Sequence, residues 1–273
     1  DEYLRLVLRP SNASGVSAQS QISIDFDPAR ESLVLHEIVI RRGAQILDQA
    51  VLGRISVLRR EQQLADNILD GRLTLNVLLH DLRVGDVVDY SYTKTRRPDE
   101  WGGRFWTADV TQYRVPVRDM RLRVTAPTVR PIRWKSSEDM APASREVGAE
   151  RVLEWRWRNR AALPDEDGQP DWYADYPTLE FSEFPSWASV ATAALPMYRV
   201  PDTLDPALAD LVTGFRQAGT PSQQALAVLR FVQDEVRYTG IAIGEGAFRA
   251  TDPATVLARR YGERFYQLWF QEQ

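Results

Sequence analysis

The sequence predicts a mainly β protein, an antiparallel β-sandwich of immunoglobulin-like type followed by an aromatic-rich linker and a short helical section. Three observations carry this expectation. Apolar and polar residues alternate with a period of two through much of residues 1–160. Gly, Pro and Asp turn signals separate those runs. Beyond about residue 198 the apolar spacing becomes helical and the helix ends carry capping residues.

Taken in order, Ile22, Ile24 and Phe26 alternate with Ser23 and Asp25, as in a half-buried strand. Ser32 to Ile40 continues in extended fashion and stops at the turn signal Arg42-Gly43. Leu73, Leu75, Val77 and Leu79 alternate after the turn pair Asp70-Gly71. Val84-Gly85-Asp86 gives way to Val88, Tyr90 and Tyr92 on one face. Met120, Leu122 and Val124 alternate with arginines, and so do Leu153, Trp155 and Trp157. The arginines at 121, 123, 156 and 158 then read as one solvated sheet face rather than an anion-binding groove. Strands at this spacing give a single sandwich domain over residues 1–160.

Residues 161–197 are rich in proline and acids and are expected to form a linker. A structureless stretch of that length is uncommon in a compact domain, so its aromatics should pack along a surface. Trp172, Tyr173, Tyr176, Phe181, Phe184 and Trp187 are therefore the candidate binding residues. Stapling the linker onto the sandwich and the helices explains them most simply. An exposed ridge that stacks on sugars or holds a peptide is the sharper alternative.

The helical section follows. Asp205-Pro206 is an N-cap with proline at the first helical position, ahead of Leu208, Leu211, Val212 and Phe215. Gly219 fits a C-terminal stop. Thr220-Pro221-Ser222-Gln223 is a capping box, and Ala225, Val228, Leu229, Val232 and Val236 form the apolar stripe behind it. Asp252-Pro253 opens a shorter helix running to Tyr261. The stripes are expected to dock onto the β domain through the linker aromatics, with pairing of two chains as the alternative.

The 273 residues carry a net charge of −4, so whole-chain charge gives no nucleic-acid footprint. No apolar run approaches the roughly eighteen residues of a transmembrane helix. A start at Asp1, with no visible signal peptide, suggests a trimmed product. Absence of cysteine excludes disulfides, thiolate metal sites and thiol catalysis in these residues. The acids Asp165, Glu166, Asp167, Asp171 and Asp175 lack EF-hand spacing, and Gly244-Glu245-Gly246 lacks the third glycine of a dinucleotide fingerprint. No metal or cofactor is expected. The two histidines, His36 and His80, read as ordinary strand residues.

Two runs, Phe231-Val-Gln-Asp-Glu-Val-Arg-Tyr-Thr-Gly240 and Pro253-Ala-Thr-Val-Leu-Ala-Arg-Arg-Tyr-Gly262, resemble the approach to the active-site cysteine of bacterial transglutaminase-like proteins. Leu82-Arg-Val-Gly85-Asp-Val-Val-Asp-Tyr90-Ser-Tyr92 and Phe184-Pro-Ser-Trp187 resemble the β-rich domain of unknown function that precedes the catalytic core in many Gram-negative secreted members. The resemblance implies a Cys-His-Asp triad on a papain-like core, in which a thiolate at a helix N-terminus attacks an amide carbonyl. In this chain Gly262 matches, Glu263 stands in for aspartate, and Arg264 stands where the cysteine is expected.

The expectation is therefore a non-catalytic chain with four parts. A sandwich over 1–160 and a linker over 161–197 precede the opening helices (198–262) of an incomplete transglutaminase-like α+β domain. A tail at 263–273 then reads as an altered reading frame or an engineered end. The resemblance implies a periplasmic or secreted location and a β domain that positions substrate or a partner. The rival is a free-standing module that binds a glycan, peptide or protein. Oligomeric state stays open.

Overall fold

The computed structural model describes residues 1–60, 68–97, 101–164, 176–198, 203–241 and 249–262. The chain divides into two compact units, residues 1–100 with 196–273, and residues 101–195. The fold is mainly β and antiparallel, with most of the helix after the strands.

The first unit opens with β1 (Glu2–Leu8) and a short helix α1 (Ala13–Gln19), capped by Asn12, whose side chain accepts the Gly15 N–H. Then come β2 (Gln21–Phe26), β3 (Glu31–Arg42), β4 (Gln45–Asp48), β5 (Ile55–Arg59), β6 (Ile68–Leu69), β7 (Leu73–Leu78) and β8 (Val87–Arg96). One sheet has the order β1-β8-β3-β4 and another β2-β7-β5. They share a core of Ile22, Ile24, Ile38, Val77 and Val88, one from each alternate position of the period-two runs. Arg42 pairs with Gln45 across a two-residue hairpin loop, and Gly43 there takes a φ of 57° that suits glycine.

The run Leu82 to Tyr92 is built around two buried carboxylates. Gly85 (φ 87°) turns the chain, and Asp86 beside it accepts the Arg83 backbone N–H and both arms of the Arg42 guanidinium. Asp89, three residues on, faces away from the apolar core yet is only 2% exposed. Arg5 on β1 donates to it at 2.9 and 2.7 Å, and Arg41 on β3 at 3.1 and 3.0 Å. One carboxylate thus ties both neighbouring strands to β8. Arg5 foremost, then Arg41, holds the Asp89 carboxyl below the usual carboxylate range against the opposing effect of burial. Arg83 and Arg42 hold Asp81 down to about 2.

The second unit contains β9 (Trp106–Val110), β10 (Val117–Pro127), β11 (Arg133–Ser136), β12 (Ala143–Val147), β13 (Glu150–Arg160), β14 (Thr178–Ser182) and the helix α2 (Trp187–Ala194). Its sheets are β10-β13-β12 and β11-β14-β9, all antiparallel. Leu153, Trp155 and Trp157 of β13 meet Leu179 and Phe181 of β14 in the core. Trp155 is fully buried, lies edge-on to Trp134 and Phe181 at 5.6 and 5.4 Å, and donates its Nε1–H to the Met140 carbonyl. The alternating arginines lie on one sheet face, where Arg121 and Arg123 pair with Glu154 and Arg156 pairs with Asp119.

This division differs from one sandwich over 1–160 followed by a linker. There are two sandwiches, and the second takes its middle strand from within 161–197. The alternation of Leu179 and Phe181 is only five residues long, and proline and acidic neighbours hide it.

The helical residues form α3 (Pro206–Arg216), α4 (Pro221–Glu235) and α5 (Pro253–Arg259), with the two-residue strands β15 (Arg237–Tyr238), β16 (Gly240–Ile241) and β17 (Tyr261–Gly262). Asp205, the Thr220–Gln223 box and Asp252 cap the helices as their sequence signals predict. Leu208, Val232 and Val256 make a small core between them. Within this unit β16 pairs in parallel with β6 as a separate two-stranded sheet, so strand pairing joins the helical residues to the segment between β5 and β7. Gly240 is needed there, because a Cβ would lie 2.9 Å from Ile68 Cγ1.

A fragment ending at residue 164 should fail to pack its second sandwich, whereas one ending at 195 should succeed. Loss of β14 removes two core side chains worth about 3–6 kcal/mol together, comparable to the roughly 5–15 kcal/mol of a whole domain. Near-UV circular dichroism reads the packed tryptophans, and identical spectra from the two fragments would refute the assignment. Asp89→Asn should cost about 1–3 kcal/mol in urea unfolding at pH 7. Because the folded pKa is depressed, that stabilisation is present above the unfolded value near 4 and is lost as pH falls through the lower folded value. The gap between wild type and variant should therefore close in acid.

Candidate functional site

Asp252 opens α5 by accepting the Thr255 N–H at 3.0 Å, and Arg260 ends it in the left-handed region (φ 60°). The reversal brings Tyr261-Gly262 alongside Arg237-Tyr238 as a parallel pair. Arg237 N–H donates to the Arg260 carbonyl and Thr239 N–H to the Gly262 carbonyl, both at 2.9 Å. Two motifs far apart in sequence thus become neighbouring strands, with Gly262 buried. Glu263, Arg264 and the rest of the tail lie outside the described residues.

Neither histidine adds chemistry here. His36 on β3 shares a hydrogen bond of 2.7 Å with the Thr93 hydroxyl, and its ring packs 5.8 Å from Tyr3. His80 lies just past β7, where its backbone N–H donates to Gln49. Among the described residues no three metal-ligating side chains converge. The acids from Asp165 to Asp175 and the Gly244-Glu245-Gly246 run are outside them.

The aromatic candidates separate. Trp172 and Tyr173 lie outside the described residues. The Tyr176 hydroxyl accepts Arg114 Nε–H at 2.8 Å, with that guanidinium over its ring. Phe181 is 2% exposed on β14. Phe184 is buried beneath Trp101, edge-on at 5.8 Å, and beneath the Arg104 guanidinium at 4.9 Å. Phe181 and Phe184 therefore cannot stack on a ligand, which corrects the idea of a continuous exposed ridge. Phe181 shares the inward face of β14 with Leu179, whereas Phe184 is buried just past the strand end by Trp101 and Arg104. Trp187 is different, being 87% exposed at the start of α2 behind the Ser186–Ser189 capping box.

Beside Phe184 the second unit opens into a cavity of about 420 Å3. Three stretches of chain line it: Gly102 to Arg104, Arg130 with Pro131 and Arg133, and Glu183 with Pro185. Gly102 and Gly103 take φ of 65° and 71°, which lets the chain bend tightly there. Arg130 grips the buried Glu183 with two arms, Nε at 2.6 Å, and also reaches the Gly103 carbonyl at 2.9 Å. Glu183 further accepts the Phe105 N–H at 2.6 Å. Arg130 foremost holds its carboxyl below the usual range, while burial pushes the other way. The arrangement keeps an ionised pair in the lining of an open cleft. Residue-type patterns missed it, because Arg104, the Arg130–Arg133 stretch and Glu183 are far apart in sequence; Glu183, next to Phe184-Pro-Ser-Trp187, was the available hint.

A family model described as a domain of unknown function with solved structure, DUF3857, matches residues 1–164. A crystal structure from Parabacteroides distasonis, described as a "putative protease", has a similar fold with a TM-score of 0.76 at 15% identity. The match covers 99% of this chain and 53% of that one, so the chain spans about half its length. No curated protein matches the sequence.

Packing and presentation should separate in mutants. Phe181→Ala should cost about 3–5 kcal/mol in urea unfolding, while Trp187→Ala should stay within about 0.5 kcal/mol. An equal loss in both would mean that Trp187 is packed in solution.

Proposed function

The chain belongs to the DUF3857 family, and from that premise we propose that it is the non-catalytic N-terminal portion of a transglutaminase-like protein. In the whole protein a Cys-His-Asp site performs amide acyl transfer or hydrolysis, and the β units position substrate or a partner. The observation that carries this reading is the parallel pairing of Arg237-Tyr238 with Tyr261-Gly262. It sets side by side the two runs that, in the resembling family, lead into the nucleophile. The fold shared with a chain described as a "putative protease" supports the same chemistry class, since amide hydrolysis and transamidation both begin with attack on an amide carbonyl. The resemblance also supports a periplasmic or secreted setting.

Trp187 favours a second reading, a free-standing peptide- or glycan-binding module, because a tryptophan 87% exposed is an unusual surface residue. The encoding DNA beyond the Gly262 codon, read in three frames, separates the two. A cysteine-bearing run with histidine and aspartate downstream supports the enzyme portion, and a stop codon without one supports the module.

The purified chain should neither incorporate amines nor release peptides, because it has no cysteine to acylate. Turnover that survives rigorous purification and resists thiol reagents would overturn this.

A further inference from the structure

We propose that the cleft of the second sandwich is a carboxylate-binding site for a peptide, with Arg104 and Arg133 as the anion-binding pair. Among the described residues, three guanidinium groups converge on this cavity and one carboxylate, Glu183, shares it. Glu183 is taken up by Arg130 and by the Phe105 N–H. Arg104 and Arg133 make no ion pair among the described residues. The contact of Arg104 with the Phe184 ring fixes its guanidinium without neutralising it. Two positive charges, one of them fixed, thereby line an open cavity whose own acid is already matched.

A guanidinium fork matches a carboxylate in plane and in donor spacing, which a lysine cluster would not. Two features favour a peptide over a small inorganic anion. Pro131 and Pro185 give the cleft apolar walls for the residues that precede a carboxylate. Arg133 also lies on β11, which ends the sheet β11-β14-β9 and has no strand on its outer side among the described residues. An extended peptide can pair its backbone with that edge while its carboxylate reaches the arginines. Arg130 acts as a positioning residue, fastening Gly103 to Glu183. The inference deepens the reading of the β units as a positioning surface and rests on it for biological context only.

The test uses the whole chain and records the arginine Nε–H resonances by NMR. It is titrated with acetyl-Ala-Ala-Ala bearing a free carboxylate, with the same peptide as its amide, and with inorganic phosphate. The expected result is saturable shifts at Arg104 and Arg133 for the acid, with the amide and phosphate each at least tenfold weaker. Arg133→Ala, on an exposed edge strand, should weaken the acid peptide at least tenfold with unchanged unfolding. Arg104→Ala should do the same, even if its Phe184 contact makes that variant less stable. Absence of saturation, equal binding of the amide, or an unchanged Arg133→Ala titration would overturn the proposal. Phosphate binding as tightly as the peptide would overturn it too, by making the cleft a simple oxyanion site. None of these outcomes bears on the DNA beyond Gly262, so failure of the cleft and failure of the enzyme reading are distinguishable.

Discussion

The second sandwich depends on one five-residue strand. Thr178–Ser182 lies between β11 and β9, so neither of those strands has a sheet without it. Its inward residues, Leu179 and Phe181, close the core around Trp155. Its exit sets the next residues in turn: Glu183 onto Arg130, Phe184 under Arg104, Pro185 into the cleft wall, and Ser186 as the cap that starts α2. A packing constraint in the core thereby fixes the geometry of a polar surface feature.

The first sandwich uses a different device. Its outer sheet is held by apolar packing on one face and by Asp89 on the other. Arg5 and Arg41 remain partly exposed while Asp89 is enclosed, so desolvation falls mainly on the carboxylate. A buried acid with two donors from two strands fixes register as well as adding stability, because a one-residue slip would separate every partner. The most recognisable run of the chain, Leu82 to Tyr92, is therefore explained by architecture: a turn glycine, two arginine-bound aspartates and inward-facing valine and tyrosine.

The helical residues show how local signals suffice when caps are strong. Asp205, Thr220 and Asp252 each satisfy N–H groups that a helix start leaves open, and proline follows each of them at the first position. Their apolar stripes meet in a small core around Leu208, Val232 and Val256. The left-handed Arg260 then swings the chain back, and only through that reversal does Gly262 come beside Tyr238.

The sequence by itself determined the elements whose signals are local. Period-two runs located β2, β3, β7, β8, β10 and β13, and caps located α3, α4 and α5. It also determined that a thiol mechanism is closed to these residues, since that follows from composition. Tertiary structure alone decided that the strands form two sandwiches, that β14 belongs to the second, and that β16 pairs with β6. Short strands carry too few alternating positions to stand out from a proline- and acid-rich background, and their pairing partners lie far away in sequence. Tertiary structure likewise decided that Phe181 and Phe184 are core and that Trp187 is surface, because aromatic character is the same in both settings. The cleft was illegible for a related reason. Arg104, Arg130 with Arg133, and Glu183 come from three separate stretches of chain, mostly connecting segments, and a charge excess assembled in space from such stretches leaves no trace in linear spacing.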